Sequence, residues 1–326
     1  MSAAGATDQG SAGRGSAGQG SAGLDGLPSG PGRRGRRSGP RRLLSFGPVL
    51  TTPAALWVLA LLFVPIAFML AYSINAIALF PGDPVKFSFS YWQSLSQPGT
   101  PYARSMLTSI ELAIFVSLAC IVLGNPLSYF LALCVRKHRY TLLLVLLAPF
   151  LVSFLLRVLA WKVMLDSSGP VNAFVQWIGL RPHGDPIPWL LYSRFAVYLI
   201  LIYSWLPFAA LPMFAVLAVQ REAVLEAAID LGASRWGAFC RVTLPLSLPG
   251  VVAALITVFT PTLGEFITPS LVGGLSIYLY GNNIDALFGP DLDWKTGSVL
   301  AIILFVVAMA ALALIARTRL AKDLER

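Results

Sequence analysis

Apolar residues in this chain do not alternate with polar ones; they run in long blocks separated by short polar breaks. A helix needs about 20 apolar residues to cross the hydrocarbon core of a bilayer. Six windows reach that length, at about 49–74, 105–135, 141–163, 195–219, 247–268 and 297–316. No charged residue lies between Arg194 and Arg221, or between Lys295 and Arg317. Such runs are too long for the helices of a soluble core, and they predict an all-α membrane protein with six transmembrane helices.

Composition agrees. Of 326 residues, 56% are hydrophobic and only 12% are charged, against about 25% charged in an ordinary soluble domain. Too little polar surface is available to cover a globule, which excludes soluble enzymes, secreted disulfide scaffolds and disordered chains. The apolar stretch from Leu43 to Gly82 carries no charge. It is far longer than the short apolar core of a secretory signal, so it reads as a span. Cys120, Cys134 and Cys240 have no motif spacing and read as reduced and structural.

The net charge is +9, and it is uneven. Residues 1–42 repeat a Gly-Ser-Ala-Gly theme and hold seven Arg against two Asp. This stretch cannot bury apolar surface and is expected to be a disordered basic tail. Two readings remain open for it: attraction to anionic membrane lipid, or a solvated extension that fixes topology. With the N-terminus inside, the inner segments collect Arg136, Lys137, Arg139, Arg221, Arg235, Arg241 and the basic residues of both tails. The outer ones hold Lys86, Arg104, Lys162, Arg181, Arg194 and Lys295. That asymmetry puts both termini in the cytoplasm and argues for membrane orientation rather than nucleic-acid binding. The organisation expected is the tail at 1–42, a first span and outer loop at 43–100, five further spans at 101–316 and a cytoplasmic C-terminal tail at 317–326.

One inner connection is long. From 220 to 249 it reads QREAVLEAAIDLGASRWGAFCRVTLPLSLP. Val224, Leu225, Ala228 and Leu231 fall at helical spacing, with Glu222, Glu226 and Asp230 on another face. Gly232 supplies a helix stop, and Ser234 can cap a second short helix carrying Trp236, Phe239 and Val242. Pro245 and Pro249 are expected to end that helix and start the next span. The product is a cytoplasmic helical hairpin whose exposed apolar residues need a partner.

Glu226-Ala227-Ala228, three residues, Gly232, nine residues, then Val242-Thr243-Leu244-Pro245 resembles the EAA loop of permease subunits of binding-protein-dependent ABC importers. Only Val242, in place of Ile, departs from the family pattern. Within that family, the stretches 149–165, 206–216, 226–250 and 263–274, and more loosely 291–302, are similar to spermidine/putrescine permease subunits of the first type. The resemblance implies a type I importer permease (MetI-like) architecture in a prokaryotic cell membrane. Its implied partners are a pair of ATPase subunits, a second homologous permease and an extracytoplasmic binding protein. It also implies that Glu226 meets a basic group on the ATPase, that Gly232 permits the turn and that Ala227 and Ala228 allow close approach. Trp236 and Phe239 would anchor the second helix, and Leu244-Pro245 close the motif. Related importers carry iron, sulfate, thiosulfate or other small solutes, so the solute is the least determined feature.

Three ionisable residues fall inside predicted spans: Glu111, Arg157 and Glu265. Such residues are costly in hydrocarbon and mark functional candidates. Counting 1.5 Å per residue from the outer span ends predicts depths of about 9 Å for Glu111 and Arg157 and about 5 Å for Glu265. Either they line a solvated vestibule that accepts a cation, or Arg157 pairs structurally with one Glu. Trp161, Trp177, Trp189, Tyr192 and Trp294 flank outer span ends, as interfacial belt aromatics or as cation–π partners.

No lysine follows a glycine, so a Walker A loop is missing; ATP and Mg are expected on a separate ATPase subunit, and no cofactor or metal is expected on this chain. His138 and His183 have no partner cluster, and no GxSxG marks a nucleophile. The chain is not expected to be an enzyme. An ion-coupled secondary transporter would need interrupted helices in two related halves. A receptor or scaffold would leave the Gly232 and Leu244-Pro245 spacing without a reason.

Overall fold

The computed structural model describes residues 46–78, 85–95, 100–135, 137–179, 187–219 and 227–317. The expected tail at 1–42, all of the expected tail at 317–326 except Arg317, and Glu226 lie outside the described residues. The chain divides into two compact units, residues 1–56 and 57–326. Of the first, residues 46–56 are described, as helical chain opening α1.

The described chain is all helix and turn. Its long helices are α1 (Phe46–Ser73), α3 (Pro101–Tyr129), α7 (Arg194–Val219), α10 (Leu244–Leu263) and α12 (Trp294–Arg317). Shorter ones are α2 (Ser90–Leu95), α4 (Arg139–Leu147), α5 (Phe154–Leu165), α6 (Pro170–Trp177), α8 (residues 227–230), α9 (Arg235–Ala238) and α11 (Tyr280–Phe288). Among the described residues, five helices are long and apolar enough to cross a membrane, and six if one bent pair counts as a span.

That pair corrects the third predicted span. The window 141–163 is not one straight helix: Arg139–Leu151 and Phe154–Trp177 meet at 85°. Pro149 has no N–H to continue the α-helical ladder, so the chain tightens into a 3-10 turn over Ala148–Leu151. Val152 and Ser153 are then extended before α5 begins.

The core forms where α3, α7 and α10 cross. Leu112, Val116 and Cys120 of α3 pack with Val197, Ile200, Leu201 and Met213 of α7 and with Ala254 and Val258 of α10, all fully buried. Lipid offers no hydrophobic drive between helices, so close approach depends on small residues and polar contacts. Ala209, Ala210 and Gly250 sit in the crossing, and Ser128 Oγ donates to the Ala210 carbonyl at 2.9 Å. By contrast, α1 keeps Leu56, Trp57, Leu61, Phe63 and Val64 more than half exposed. Large apolar side chains in that position are at home in hydrocarbon.

The loops opposite the α8–α9 hairpin are built rather than open. Lys295, expected in an outer loop, is 6% exposed and packs its ammonium toward the Tyr72 and Tyr91 rings, 5.6 and 6.0 Å from their centroids. Asn282 is buried as well. Its Nδ2 donates to the Phe266 carbonyl at 3.0 Å and to Ser270 Oγ at 2.7 Å, while its Oδ1 accepts from the Leu279 N–H at 3.0 Å.

Candidate functional site

The hairpin takes the local form its residues dictate. The α8 helix ends on Gly232, whose φ is +89°. The Ala233 N–H donates to the Ala228 carbonyl at 3.1 Å and the Gly232 N–H to the Ile229 carbonyl at 2.8 Å. Those two bonds make a Schellman stop, which needs a left-handed residue that glycine supplies without a Cβ clash. Two residues on, Ser234 Oγ accepts from the Gly237 N–H at 3.1 Å and caps α9.

Beyond α9 the structure differs from the expectation. Pro245 does not end the second helix. The chain passes through a π turn at Phe239–Thr243 straight into α10, giving one continuous run from Phe239 to Leu263. A proline ring clashes with the carbonyl four residues back, here Arg241; the wider π turn, with the Leu244 N–H bonded to the Phe239 carbonyl, relieves that clash. Leu244 and Pro245 therefore open α10 itself. Phe239 packs edge-on against Tyr129 of α3, with ring centroids 5.4 Å apart. Ala227 and Leu231 remain exposed, so the hairpin is held on one side by its own chain and presents the other.

A second region forms where the broken third span meets α7 and the end of α10. A cavity of about 400 Å3 is lined by Phe150, Phe154, Arg157, Trp205, Phe208, Pro261, Glu265 and Ile267. The 85° bend is what turns Phe150, Phe154 and Arg157 toward one space. The cavity brings Arg157 and Glu265 together but not Glu111, which is exposed on α3 and does not line it. Trp205 and Phe208 lie about 17 and 21 Å along α7 from Arg194. The cavity thus sits near the middle of that helix, deeper than counting from the outer span ends predicted.

The two charges are held differently. Glu265 follows α10 at a turn and is 8% exposed. Its Oε1 accepts from the Thr268 N–H at 2.9 Å and from Thr268 Oγ1 at 3.1 Å, as a cap on the next helical turn. The Arg157 guanidinium lies 4.3 Å from the Phe150 ring centroid and 5.6 Å from that of Phe154. Its Nε and Nη1, and Trp205 Nε1, are buried with no partner among the described residues. Among the described residues the expected structural pairing of Arg157 with Glu111 or Glu265 is not formed. Aromatic faces carry the cation instead, and the cavity holds unmet donors together with the Glu265 carboxylate. The walls Phe150, Phe154, Trp205 and Phe208 were not singled out in the sequence, where an aromatic in an apolar block looks like any lipid-facing residue.

Among the described residues no group of His, Cys, Asp and Glu is arranged to hold a metal ion.

Long apolar helices, a capped hairpin at one end and a charged cavity between the spans define an all-α multi-pass membrane fold of the type I ABC importer permease architecture. The chain belongs to the family described as binding-protein-dependent transport system inner membrane component, whose model matches residues 114–326. It is 36% identical over 206 residues to the spermidine/putrescine transport system permease protein PotB of Escherichia coli K12, covering 63% of this chain and 74% of that protein. The protein of the same name from Haemophilus influenzae is 32% identical over 206 residues, covering 63% of this chain and 71% of that one. In three dimensions the chain matches a bacterial ABC transporter that imports the acidic polysaccharide alginate, with TM-score 0.64 and 19% identity, over 84% of this chain and 94% of that one. The protein is thus a transport permease, and its family places ATP hydrolysis on another subunit.

Proposed function

We propose that this chain is one of two homologous permease subunits of a polyamine importer that works by alternating access, with both termini in the cytoplasm. The similarity to spermidine/putrescine permeases over 206 residues carries this reading. The cavity chemistry supports it: the Glu265 carboxylate and the Trp205 and Phe208 rings, on the walls that Arg157 does not occupy, suit an ammonium group. Glu111, exposed on α3, serves the same path nearer the opposite end of the bundle. The α8–α9 hairpin docks into an ATPase subunit, with Glu226 meeting a basic group, Ala227 and Ala228 in close approach, and Gly232 setting the turn. Trp236 and Phe239 fix the second helix. Because the π turn makes α9 and α10 continuous through Leu244 and Pro245, motion of the hairpin reaches the cavity wall at Pro261 and Glu265 directly. An extracytoplasmic binding protein delivers the solute at the other end.

A second reading has its own observation. The unmet donors of Arg157 and Trp205 suit a small oxyanion such as sulfate or thiosulfate. Uptake of labelled spermidine, putrescine and sulfate in cells lacking this chain separates the two. Complementation is done with wild type or with Glu226→Lys. Polyamine uptake restored by wild type alone supports both the solute and the coupling role of Glu226. Restored sulfate uptake without polyamine uptake overturns the polyamine reading.

A further inference from the structure

At the end of the bundle away from the hairpin, α3 and α7 begin on either side of a cleft of about 490 Å3. Two guanidinium groups line it, Arg104 from the first turn of α3 and Arg194 from the first residue of α7, and among the described residues no carboxylate does. Arg194 Nε donates to the Ser276 carbonyl at 3.2 Å, which ties that side chain to the 275–278 loop. The Arg104 guanidinium has no partner among the described residues. Asn283, on a third wall, is fixed by bonds from its Nδ2 to Ser105 Oγ at 2.8 Å and to the Leu279 carbonyl at 3.2 Å. At the rim, Leu275 is wholly exposed and Tyr278 is 55% exposed. Burial, with the Asp291 and Asp285 carboxylates, holds the Tyr278 phenol above its usual range, yet neither Asp lines the cleft.

We propose that this cleft receives a carboxylate side chain of the extracytoplasmic binding protein. The inference rests on the importer reading above and names the docking point within it. Two arginines facing one space repel each other and favour an anion between them, which a carboxylate accepts in bidentate geometry. Arginine and tyrosine beside an exposed apolar residue are the composition of a protein interface. The cleft opens at the helix ends, not on the exposed apolar flanks of α1 and α12, so a soluble partner approaching along the membrane normal reaches it first. The same two charges repel a free polycation. The carboxylate that pairs with them therefore also removes a barrier to handing one over.

The test uses the complete importer in nanodiscs with the binding protein that restores uptake together with this chain. ATPase stimulation is titrated with the binding protein for wild type, Arg104→Glu, Arg194→Glu, the double reversal and Arg104→Gln. Reversal is expected to raise the half-stimulating concentration by roughly tenfold or more, with basal ATPase unchanged. Salt at about 500 mM should weaken wild type toward the variant. A binding-protein variant with one surface Asp or Glu changed to Arg should restore docking to the double reversal. Wild-type titration by the double reversal overturns the proposal. So does a cleft that reports lipid instead: basal activity that depends on phosphatidylglycerol in wild type but not in the double reversal, with stimulation intact. If the wild-type complex restores uptake but shows no stimulation by the binding protein, this docking point falls alone; if uptake itself fails, the importer reading falls with it.

Discussion

Gly250 of α10 crosses α7 so closely that a Cβ at this position would lie 2.7 Å from the Cα of Met213 and 2.9 Å from the Pro212 carbonyl oxygen. Both atoms are backbone and cannot rotate away. Gly124 of α3 approaches the same Met213, but there the nearest atom is the side-chain Cε, at 2.8 Å. Gly250→Ala is therefore expected to force the helices apart at a cost of about 1–3 kcal/mol, whereas Gly124→Ala needs only a rotamer change at Met213. Thermal unfolding of the two variants in detergent decides it; equal losses would sink the argument.

Gly232 holds the hairpin turn at positive φ. Gly232→Ala places a Cβ in the left-handed region, costing about 1–2 kcal/mol, while Asn tolerates that region better. Co-purification of the ATPase with the permease should fall for Gly232→Ala and recover in part for Gly232→Asn. Span packing should be unchanged in both, because nothing lies within 4 Å of a Cβ there.

Glu265→Gln keeps an acceptor oxygen for Thr268 and removes the charge. Assembly should be retained, and polyamine uptake should drop by about tenfold or more. Arg157→Gln should leave polyamine uptake standing if the cargo is a cation and abolish uptake if it is an oxyanion. Loss of expression on Glu265→Gln would mean that the carboxylate serves folding alone.

Asn282 ties the Phe266–Ser270 turn to the start of α11 through three hydrogen bonds. Asn282→Ala leaves the buried Leu279 N–H without its acceptor, while the Phe266 carbonyl still accepts from the Ser270 N–H and Oγ, a loss of about 1–3 kcal/mol. Protease sensitivity in the 264–283 segment should rise, with the α8–α9 hairpin unaffected.

The hairpin was readable because its signals are local. The Schellman stop at Gly232 and the Ser234 cap depend on residues within five positions of each other, and spacing alone exposes them. The six apolar windows were readable too, since hydropathy reports composition. Composition carries no backbone direction, so it read straight through the break at Pro149. It likewise treated Pro245 as a terminator, because a π turn that absorbs a proline leaves no mark in the residues around it. Lys295 looked like a loop charge since nothing in its neighbourhood announces Tyr72 and Tyr91, more than 200 residues upstream.

By itself, then, the sequence determined how many apolar segments there are, where the coupling hairpin turns and which family the spacing Glu226-Gly232-Pro245 resembles. Tertiary structure alone decided which charges share a cavity and which do not. Arg157 and Glu265 are 108 positions apart, and they line one cavity because the bend before α5 and the end of α10 fall beside the same stretch of α7. Glu111 lies elsewhere for the same reason: in a bundle, the rotation of each helix about its axis is fixed by packing against its neighbours, and one sequence window holds no information about the others.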